Sequence, residues 1–136
     1  MSVQSPISSI NDFVVRFANV NGSGSASANE LFARSILRHG VPVSPRNVFP
    51  SNIQGLPTWY EVRVTEDSHL GARGGIDMMV AMNPQTWDKD VAGIEPGGYL
   101  MYDSTKPTCA RGWRRRPKTS RRIFISATTS RPAASW

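Results

Sequence analysis

Cysteine is almost missing from this sequence, since Cys109 is the single one among its 136 residues. One thiol cannot form a disulfide within the chain, and it cannot supply the four thiolates of a cysteine-ligated iron–sulfur or zinc site. Long apolar runs are missing too, because no stretch approaches the roughly 18 residues that a membrane span needs. The first residues, MSVQSPISSIND, lack the charged and then apolar regions of a signal peptide. These absences predict a cytoplasmic protein that does not contact a membrane.

Acidic residues are absent from the last part of the chain. Residues 106–136 hold nine of the 16 Lys and Arg residues and none of the ten Asp and Glu residues, so the formal net charge of +6 comes from them. They also contain no Leu, Val or Met, and such a segment cannot bury enough apolar surface to offset the entropy of ordering it. We therefore predict a basic disordered tail over residues 108–136. A Ser-rich, flexible N-terminus is predicted over residues 1–11.

The basic tail suggests a polyanionic partner. Within CARGWRRRPKTSRR, residues 109–122, the runs Arg114–Arg116 and Arg121–Arg122 could pair with phosphates, and Trp113 could stack on a base. Because any polycation binds nucleic acid weakly at low salt, the tail alone predicts only non-specific binding. A non-enzymatic nucleic-acid-binding module with a basic C-terminal arm is the alternative function that the sequence leaves open.

Apolar strands alternate with helices over the first 105 residues. The periodicity predicts strands at 12–20, 41–43, 59–66, 76–82 and 97–104, and helices at 27–40 and 83–93. Residues 44–58, with three prolines, are predicted to form a long loop. The strand at 59–66 alternates, so we expect one of its faces to be exposed. This order is typical of an α/β fold with a Rossmann-like, mostly parallel sheet and flanking helices.

The two predicted helices carry signals at their ends. Ser27 and Glu30 fit a capping box at the start of the first helix, and Gly40 fits its end. The buried side of this helix is predicted to be an apolar stripe, formed by Leu31, Phe32, Ile36 and Leu37. In the second helix, Asn83 is the predicted cap and Pro84 occupies the first helical position.

The stretch FANVNGSGSASANE resembles the strand, glycine turn and helix of a dinucleotide-binding unit. Gly22 and Gly24 allow a tight turn, and the N–H groups at the helix start form a ready anion site. Ser27 stands where the third glycine of the fingerprint belongs, and no acid follows about 20 residues on to bind a ribose. NAD and FAD are therefore disfavoured. A phosphate or another anion at the turn remains open, as does a tight turn without a ligand.

The stretch FPSNIQGLPTWYEVRV contains a polar loop with Ser51, Asn52 and Gln54, hinged by Gly55. Such loops line clefts in α/β sheets, although an ordinary surface connection fits equally well. Trp59 behind it either stacks on a ligand or covers a face of the sheet. Neither histidine has metal-ligand spacing, and no Ser–His–Asp, Cys–His or paired-carboxylate set is visible. The residues thus predict a ligand-binding module without catalytic machinery of its own.

These motifs in combination resemble a known family. NVNGSGSASANE and FPSNIQGLPTWYE, with DMMVAMNPQT and GGYLMYDST, closely resemble the gamma domain of 2-oxoacid:ferredoxin oxidoreductases, which is the N-terminal part of their alpha subunit. The 2-oxoglutarate type is the most similar, and the resemblance covers residues 12–107. It implies the fold also called domain III of pyruvate:ferredoxin oxidoreductase, incomplete here at its C-terminus.

The resemblance implies an oxidoreductase that decarboxylates a 2-oxoacid with coenzyme A, giving an acyl-CoA, CO₂ and reduced ferredoxin. Thiamine diphosphate, Mg²⁺ and iron–sulfur clusters belong to the parent complex but are held outside this domain, which covers the active site and helps bind coenzyme A. The implied partners are the missing alpha-subunit domain, a beta subunit and ferredoxin. No catalytic residue or metal ligand is expected here, and the implied cofactor-binding residues are Gly22, Ser23, Gly24, Ser25, Ser51, Asn52, Gln54 and Gly55.

After YDSTKPT the sequence departs from the family. GC-rich codons that are read out of frame give Arg, Ala, Pro, Ser, Gly and Trp in excess and lose acids and Leu, as in residues 108–136. We therefore expect a truncated gamma domain, frameshifted after about residue 108 and inactive on its own. Because a sheet that lacks strands exposes an edge, we also expect poor solubility.

Overall fold

Five strands and two helices make up the part of the chain that the computed structural model describes, residues 10–20, 23–48 and 57–103. In chain order they are β1 (Asp12–Asn19), α1 (Ser25–Arg38), β2 (Val43–Val48), β3 (Thr58–Thr65), β4 (Ile76–Ala81), α2 (Trp87–Ala92) and β5 (Ile94–Tyr102). The predicted basic tail lies outside the described residues, as does most of the predicted flexible N-terminus. Neither of the two helices is long and apolar enough to cross a membrane.

The strands form one sheet in the order β2-β3-β1-β4-β5. β1 is parallel to β4 and β4 is parallel to β5, whereas β3 is antiparallel to both β1 and β2. Four strands therefore run in one direction, and β3 alone opposes them. The predicted α/β fold with a mostly parallel sheet is confirmed.

The helices cover opposite faces of the sheet. Because successive strand residues point to opposite faces, β3 sends Tyr60, Val62 and Val64 to one side, where they pack with Ala33 of α1. On the other side, Trp87 and Val91 of α2 pack with buried residues of the central and outer strands, which include Ala18, Trp59, Met79 and Leu100. Two hydrophobic clusters thus lie back to back, separated by the sheet.

The second and third strands differ from the sequence prediction. β2 runs from Val43 to Val48, so the first part of the predicted loop at 44–58 is a strand, paired only with β3. Pro45 fits there because β2 is an edge strand of the described sheet, where a missing N–H costs no ladder bond. The exposed face predicted for β3 is wrong, since six of its eight residues are buried. β3 lies between two strands, and arginine side chains and α2 cover the face that carries Trp59 and Glu61.

The start of α1 also differs from the prediction. The helix begins at Ser25, Gly24 is its N-cap, and no side chain caps it. The predicted capping box is wrong, because Glu30 is ion-paired with Arg34 at 2.6 Å, one turn further on.

The predicted apolar stripe of α1 is wrong in part. Leu31 and Leu37 are 62% and 57% exposed, and Phe32 is 39% exposed, although its ring meets Phe17 edge to face at 5.5 Å. The buried residues are instead Asn29 and Ala33, with Ile36 partly buried against the sheet. Small residues at the contact let the helix lie close to the strands, and this leaves the larger leucines outside.

The second half of the fold confirms most predictions, with shifted bounds. α2 spans Trp87–Ala92 and not the predicted 83–93, since Asn83 and Thr86 form a turn in front of it, with Thr86 N–H donating to Asn83 O at 3.3 Å. Gly93 ends the helix as expected. β5 begins directly afterwards at Ile94, and its register with β4 shifts between Ile76 and Met78.

Candidate functional site

The glycine turn joins the central strand to the longer helix. β1 ends at Asn19 and α1 begins at Ser25. Between them Gly24 has φ of 74°, a left-handed conformation that an L side chain adopts only with strain. No heavy atom lies within 4 Å of the place where a Cβ would be. Glycine is therefore required at this position by the backbone conformation and not by lack of space.

The start of α1 presents donors and no acid. No side chain caps the helix, and its first turn contains no acidic residue. Ser23 Oγ lies 2.6 Å from Val20 O, to which it donates, and 3.0 Å from Ser25 Oγ. The unpaired N–H groups of a first helical turn carry partial positive charge, and together with these hydroxyls they favour an anion.

Three asparagines hold the turn in place. Asn29 Nδ2 donates to Asn19 Oδ1 at 3.0 Å, which ties the helix back to the end of β1. Asn83 Nδ2 donates to the Asn19 carbonyl at 3.2 Å and so links β1 to the segment after β4. Asn29 and Asn83 are each 6% exposed. Sequence reasoning missed this brace, because it joins residues that are ten and 64 positions apart in the chain.

The turn lies where ligands bind in open α/β sheets. β1 and β4 are parallel neighbours, and the helices that follow them cover opposite faces, which opens a crevice at the carboxyl ends of the two strands. Two apolar side chains are exposed near these ends, Val20 at 44% and Met82 at 40%. The edge therefore combines an anion-binding helix start with apolar surface.

The structure describes only part of the site that the sequence predicts. Ser23, Gly24 and Ser25 are placed together at the start of α1. The other predicted cofactor-binding residues, Gly22, Ser51, Asn52, Gln54 and Gly55, lie outside the described residues. The predicted cofactor-binding role of the polar loop stays a prediction.

Trp59 is part of the core and does not face a ligand. It is 7% exposed, its Nε1 donates to Asp90 Oδ1 at 2.6 Å, and Lys89 Nζ lies 4.6 Å from the ring centroid. Thr86 Oγ1 donates to Asp90 Oδ2 at 2.5 Å. Burial raises the pKa of Asp90, although the hydrogen bonds from Thr86 and Trp59 oppose this shift. Of the two roles left open for Trp59, the structure supports covering the sheet.

A second polar cluster lies on the sheet face that carries α2. Glu61 of β3 is 2% exposed and is ion-paired with Arg16 of β1 and with Arg46 of β2. Each arginine is directly opposite Glu61 in its strand pairing. Sequence reasoning missed this cluster because it assigned Glu61 to an exposed face. Acid and base residues in three separate strands give no local signal.

The residues do not fit the redox cofactors of the parent complex that the resemblance implies. In the described ranges, no three His, Cys, Asp or Glu side chains come together to hold a metal ion. The single cysteine of the chain cannot ligate a four-thiolate iron–sulfur cluster by itself. The glycine turn, in contrast, fits the phosphate groups of coenzyme A.

Comparison with known proteins places the chain among the oxidoreductases. The family model described as pyruvate ferredoxin/flavodoxin oxidoreductase matches residues 14–131, which is well over half of the chain. The alpha subunit of 2-oxoacid:ferredoxin oxidoreductase 2 from Aeropyrum pernix is 28% identical over 88 residues. This alignment covers 64% of the chain but only 14% of the relative, so the chain spans a small part of that protein's length.

Three solved structures share the fold. The gamma subunit of keto/oxoacid ferredoxin oxidoreductase from Geobacter sulfurreducens is 17% identical with a TM-score of 0.62, and 84% of this chain covers 60% of it. Pyruvate oxidoreductase subunit PORC from Thermotoga maritima is 18% identical with a TM-score of 0.65, and 88% of this chain covers 64% of it. The third is 2-oxoglutarate:ferredoxin oxidoreductase from Magnetococcus marinus, solved with 2-oxoglutarate, coenzyme A and succinyl-CoA bound. It is 22% identical with a TM-score of 0.68, and 87% of this chain covers 20% of it.

Proposed function

Because the chain belongs to the pyruvate ferredoxin/flavodoxin oxidoreductase family, we propose that it is a gamma domain of a 2-oxoacid:ferredoxin oxidoreductase and that it binds coenzyme A. The parent enzyme oxidises and decarboxylates a 2-oxoacid, transfers the acyl group to the coenzyme A thiol and passes two electrons to ferredoxin. We assign this domain the task of holding coenzyme A beside the active site, which other parts of the complex supply. Within the family we favour the 2-oxoglutarate type.

The proposed coenzyme A role rests on the geometry at the start of α1. The start of α1 is uncapped, free of acid and held at the switch point of the sheet by the asparagine brace. Coenzyme A carries phosphates at its adenosine end and a flexible pantetheine arm, with methyl, methylene and amide groups, at the other. The helix start fits the phosphates, and exposed Val20 and Met82 fit the arm.

The proposed partners follow from the size of the chain and from its residues. A relative named as an alpha subunit is much longer than this chain, and two structural relatives are named as subunits. The chain has one cysteine and no visible catalytic set. We therefore propose that turnover requires the remaining alpha-subunit domain and a beta subunit, which bring thiamine diphosphate, Mg²⁺ and iron–sulfur clusters. Ferredoxin is the proposed electron acceptor.

The test is calorimetric titration of the full chain with coenzyme A, using Ser25→Glu and Ser35→Glu. An acid at position 25 stabilises the start of α1 by about 0.3–1 kcal/mol but repels phosphate. We expect Ser25→Glu to weaken coenzyme A binding by about tenfold or more, because phosphate then meets a like charge at close range. Ser35→Glu, at an exposed position in the last turn of the same helix, should leave the affinity unchanged.

Pantetheine, which lacks the phosphates, is the control ligand. Ser25→Glu and Ser35→Glu should bind pantetheine with the same affinity. Unchanged coenzyme A affinity in Ser25→Glu would reject the assignment of the phosphates to this helix start. Reduction of an acceptor by the chain alone, dependent on a 2-oxoacid, would reject its proposed role as an accessory domain.

A further inference from the structure

We propose that the sheet face around Glu61 is a docking surface for an acidic segment of another polypeptide. The surface is the arginine face, formed by Arg16, Arg46 and Arg63 around Glu61. It lies on the three strands β1, β2 and β3 and is separate from the helix start assigned to coenzyme A. The proposal does not depend on coenzyme A binding.

The arginine face holds more positive than negative charge. Arg16 donates through Nε and Nη2 to one oxygen of Glu61, with Nε at 2.9 Å. Arg46 donates through Nε at 2.8 Å and through Nη2 at 2.5 Å to the other oxygen. One buried carboxylate of β3 thus fixes two guanidinium groups, one from each flanking strand, and neutralises only one of them.

Arg63 adds a third cation and an unsatisfied donor. It follows Glu61 by two residues in β3, so both side chains are on one face. Its Nη1 donates to Gly71 O at 2.5 Å. Its Nε is buried and has no hydrogen-bond partner within the described ranges. A buried donor left in this state costs about 1–3 kcal/mol. Because this donor is inaccessible from the surface, Arg63 offers a partner its positive charge and not this N–H group.

The other acids on this face are already engaged. Asp77 accepts from Val14 N–H at 2.7 Å and pairs with Arg73 at 3.0 Å. Asp90, whose charge is felt by Arg16, accepts from Trp59 and Thr86. Asp12, on the same face of β1 as Arg16, pairs with Arg73 at 3.5 Å. Among the described salt bridges, none joins these three carboxylates to Arg16, Arg46 or Arg63.

In the part of the chain that the structure describes, the arginine face is open around Arg16 and Arg46, whereas the segment at Leu70 and Gly71 lies against its Arg63 end. α1 packs on the opposite face, and α2 packs over β4, β5 and the Trp59 end of β3. The side chains of Arg16 and Arg46 remain 28% and 44% exposed above a Glu61 side chain that is 2% exposed. Their strands are separated by β3 alone, so the two cations are about 10 Å apart at the backbone, and a partner can place one carboxylate on each.

The undescribed residues of the given sequence offer no acidic occupant for the arginine face. All ten acids of this sequence lie within the described ranges, and none falls in residues 1–9, 21–22, 49–56 or 104–136. The segment 106–136, with nine cations, is repelled by the arginine face. Charge complementarity therefore selects an acidic segment of a second polypeptide.

The test follows the Nε–H signals of the arginines by ¹⁵N NMR while the full chain is titrated with a hexaglutamate peptide at 150 mM salt. We expect saturable shifts at Arg16, Arg46 and Arg63. Arg46→Gln, which leaves Glu61 paired with Arg16, should weaken the binding by up to about fivefold, the upper limit expected for one solvent-exposed ion pair. The triple variant R16Q/E61Q/R46Q, which keeps Arg63 but removes the other charges of the arginine face, should abolish the shift at Arg63.

Arg38→Gln, at the end of α1, is the matched control for a loss of one charge and should bind like the wild type. Shifts confined to residues 106–136 would overturn the proposal. Equal shifts at the arginine face with inorganic phosphate would overturn it in favour of a small-anion site. Equal shifts with a hexanucleotide of thymidylate would overturn it in favour of general polyanion binding.

Discussion

At the scale of single residues, Asp90 is the acid whose environment most clearly opposes its charge. It is 2% exposed, and burial raises its pKa despite the hydrogen bonds from Thr86 and Trp59. The folded protein therefore keeps this proton at pH values where the unfolded chain, with a pKa of about 3.9, has lost it. Stability from this group is fully present below that pKa and is lost as the pH rises through the raised pKa of the folded state.

We predict that Asp90→Asn removes this pH dependence. The amide keeps an acceptor for Trp59 Nε1 but cannot ionise, so the variant should gain stability relative to the wild type as the pH rises from 4 to 7. The measurement is denaturant unfolding at pH 4, 5, 6 and 7. Asp88→Asn, on the exposed side of α2, is the control. Stability curves of Asp90→Asn and wild type that stay parallel over this range would contradict the prediction.

The residues of the candidate site show what a sequence can and cannot reveal. The turn around Gly24 is predictable because glycine, small polar residues and a helix follow one another in the chain. The brace of Asn19, Asn29 and Asn83 is not, because it joins residues ten and 64 positions apart. The pairing of Glu61 with two arginines depends on strand order, which no local pattern contains.

At the scale of elements, α1 shows why an apolar stripe was misleading. Its larger apolar residues follow a helical period, but the contact with the sheet is made through Ala33 and Ile36. Helix periodicity defines several adjacent faces, and the packing distance decides which of them is buried. Strand and helix order, in contrast, were predictable, since alternation of apolar segments and glycine-rich turns is a local property.

We predict opposite outcomes for two neighbouring substitutions in α1. Leu37→Gln, at a side chain that is 57% exposed, should change the free energy of unfolding by less than about 0.5 kcal/mol. Ile36→Gln, at a side chain packed on the sheet, should cost about 1–2 kcal/mol. Chemical denaturation of both variants checks this. A larger loss from Leu37→Gln than from Ile36→Gln would show that the helix packs through its other face.

The irregular start of β5 gives a second prediction at this scale. A Cβ on Gly98 would lie 2.7 Å from Ile94 Cγ2 and 2.8 Å from the Asp77 carbonyl oxygen. The backbone of β4 cannot yield, so Gly98→Ala should destabilise the fold by about 1–3 kcal/mol. Gly74→Ala, with no atom within 4 Å of the added methyl group, is the control in thermal unfolding. Equal melting temperatures for the two variants would rule out this close approach.

At the scale of the whole molecule, the basic segment and the mildly acidic body carry net charges of opposite sign. We predict that the full chain binds DNA without sequence preference and that the affinity falls steeply with salt. Replacing Arg114, Arg115, Arg116, Arg121 and Arg122 by Gln should reduce the salt slope by up to about 4.5, since each lost phosphate contact removes about 0.9. Fluorescence anisotropy with two unrelated duplexes measures this. Tenfold selectivity at 150 mM salt would instead support the nucleic-acid-binding alternative.

The composition change near residue 108 leads to a prediction about the gene. We propose that the reading frame shifts there, and we expect a one- or two-base change to restore an open frame. The measurement is the nucleotide sequence from the codon of Tyr102 onward. The family match continues to residue 131. If the nucleotide sequence confirms the reading frame as written, the basic segment belongs to the domain and the proposed frameshift is rejected.

Because β1 lies between β3 and β4 in the sheet, both of its partner strands are synthesised after it. Val15 pairs with Val62 on one side and with Met78 on the other, and both partners leave the ribosome after it. At about 5–20 residues per second, translation from β1 to β4 takes roughly 3–12 s. Until β3 has been made, the apolar side chains of β1 have no partner strand beside them, and the pairing with β4 completes only at the end of this interval. The nascent chain therefore exposes an extended apolar segment for seconds before the domain can close its core.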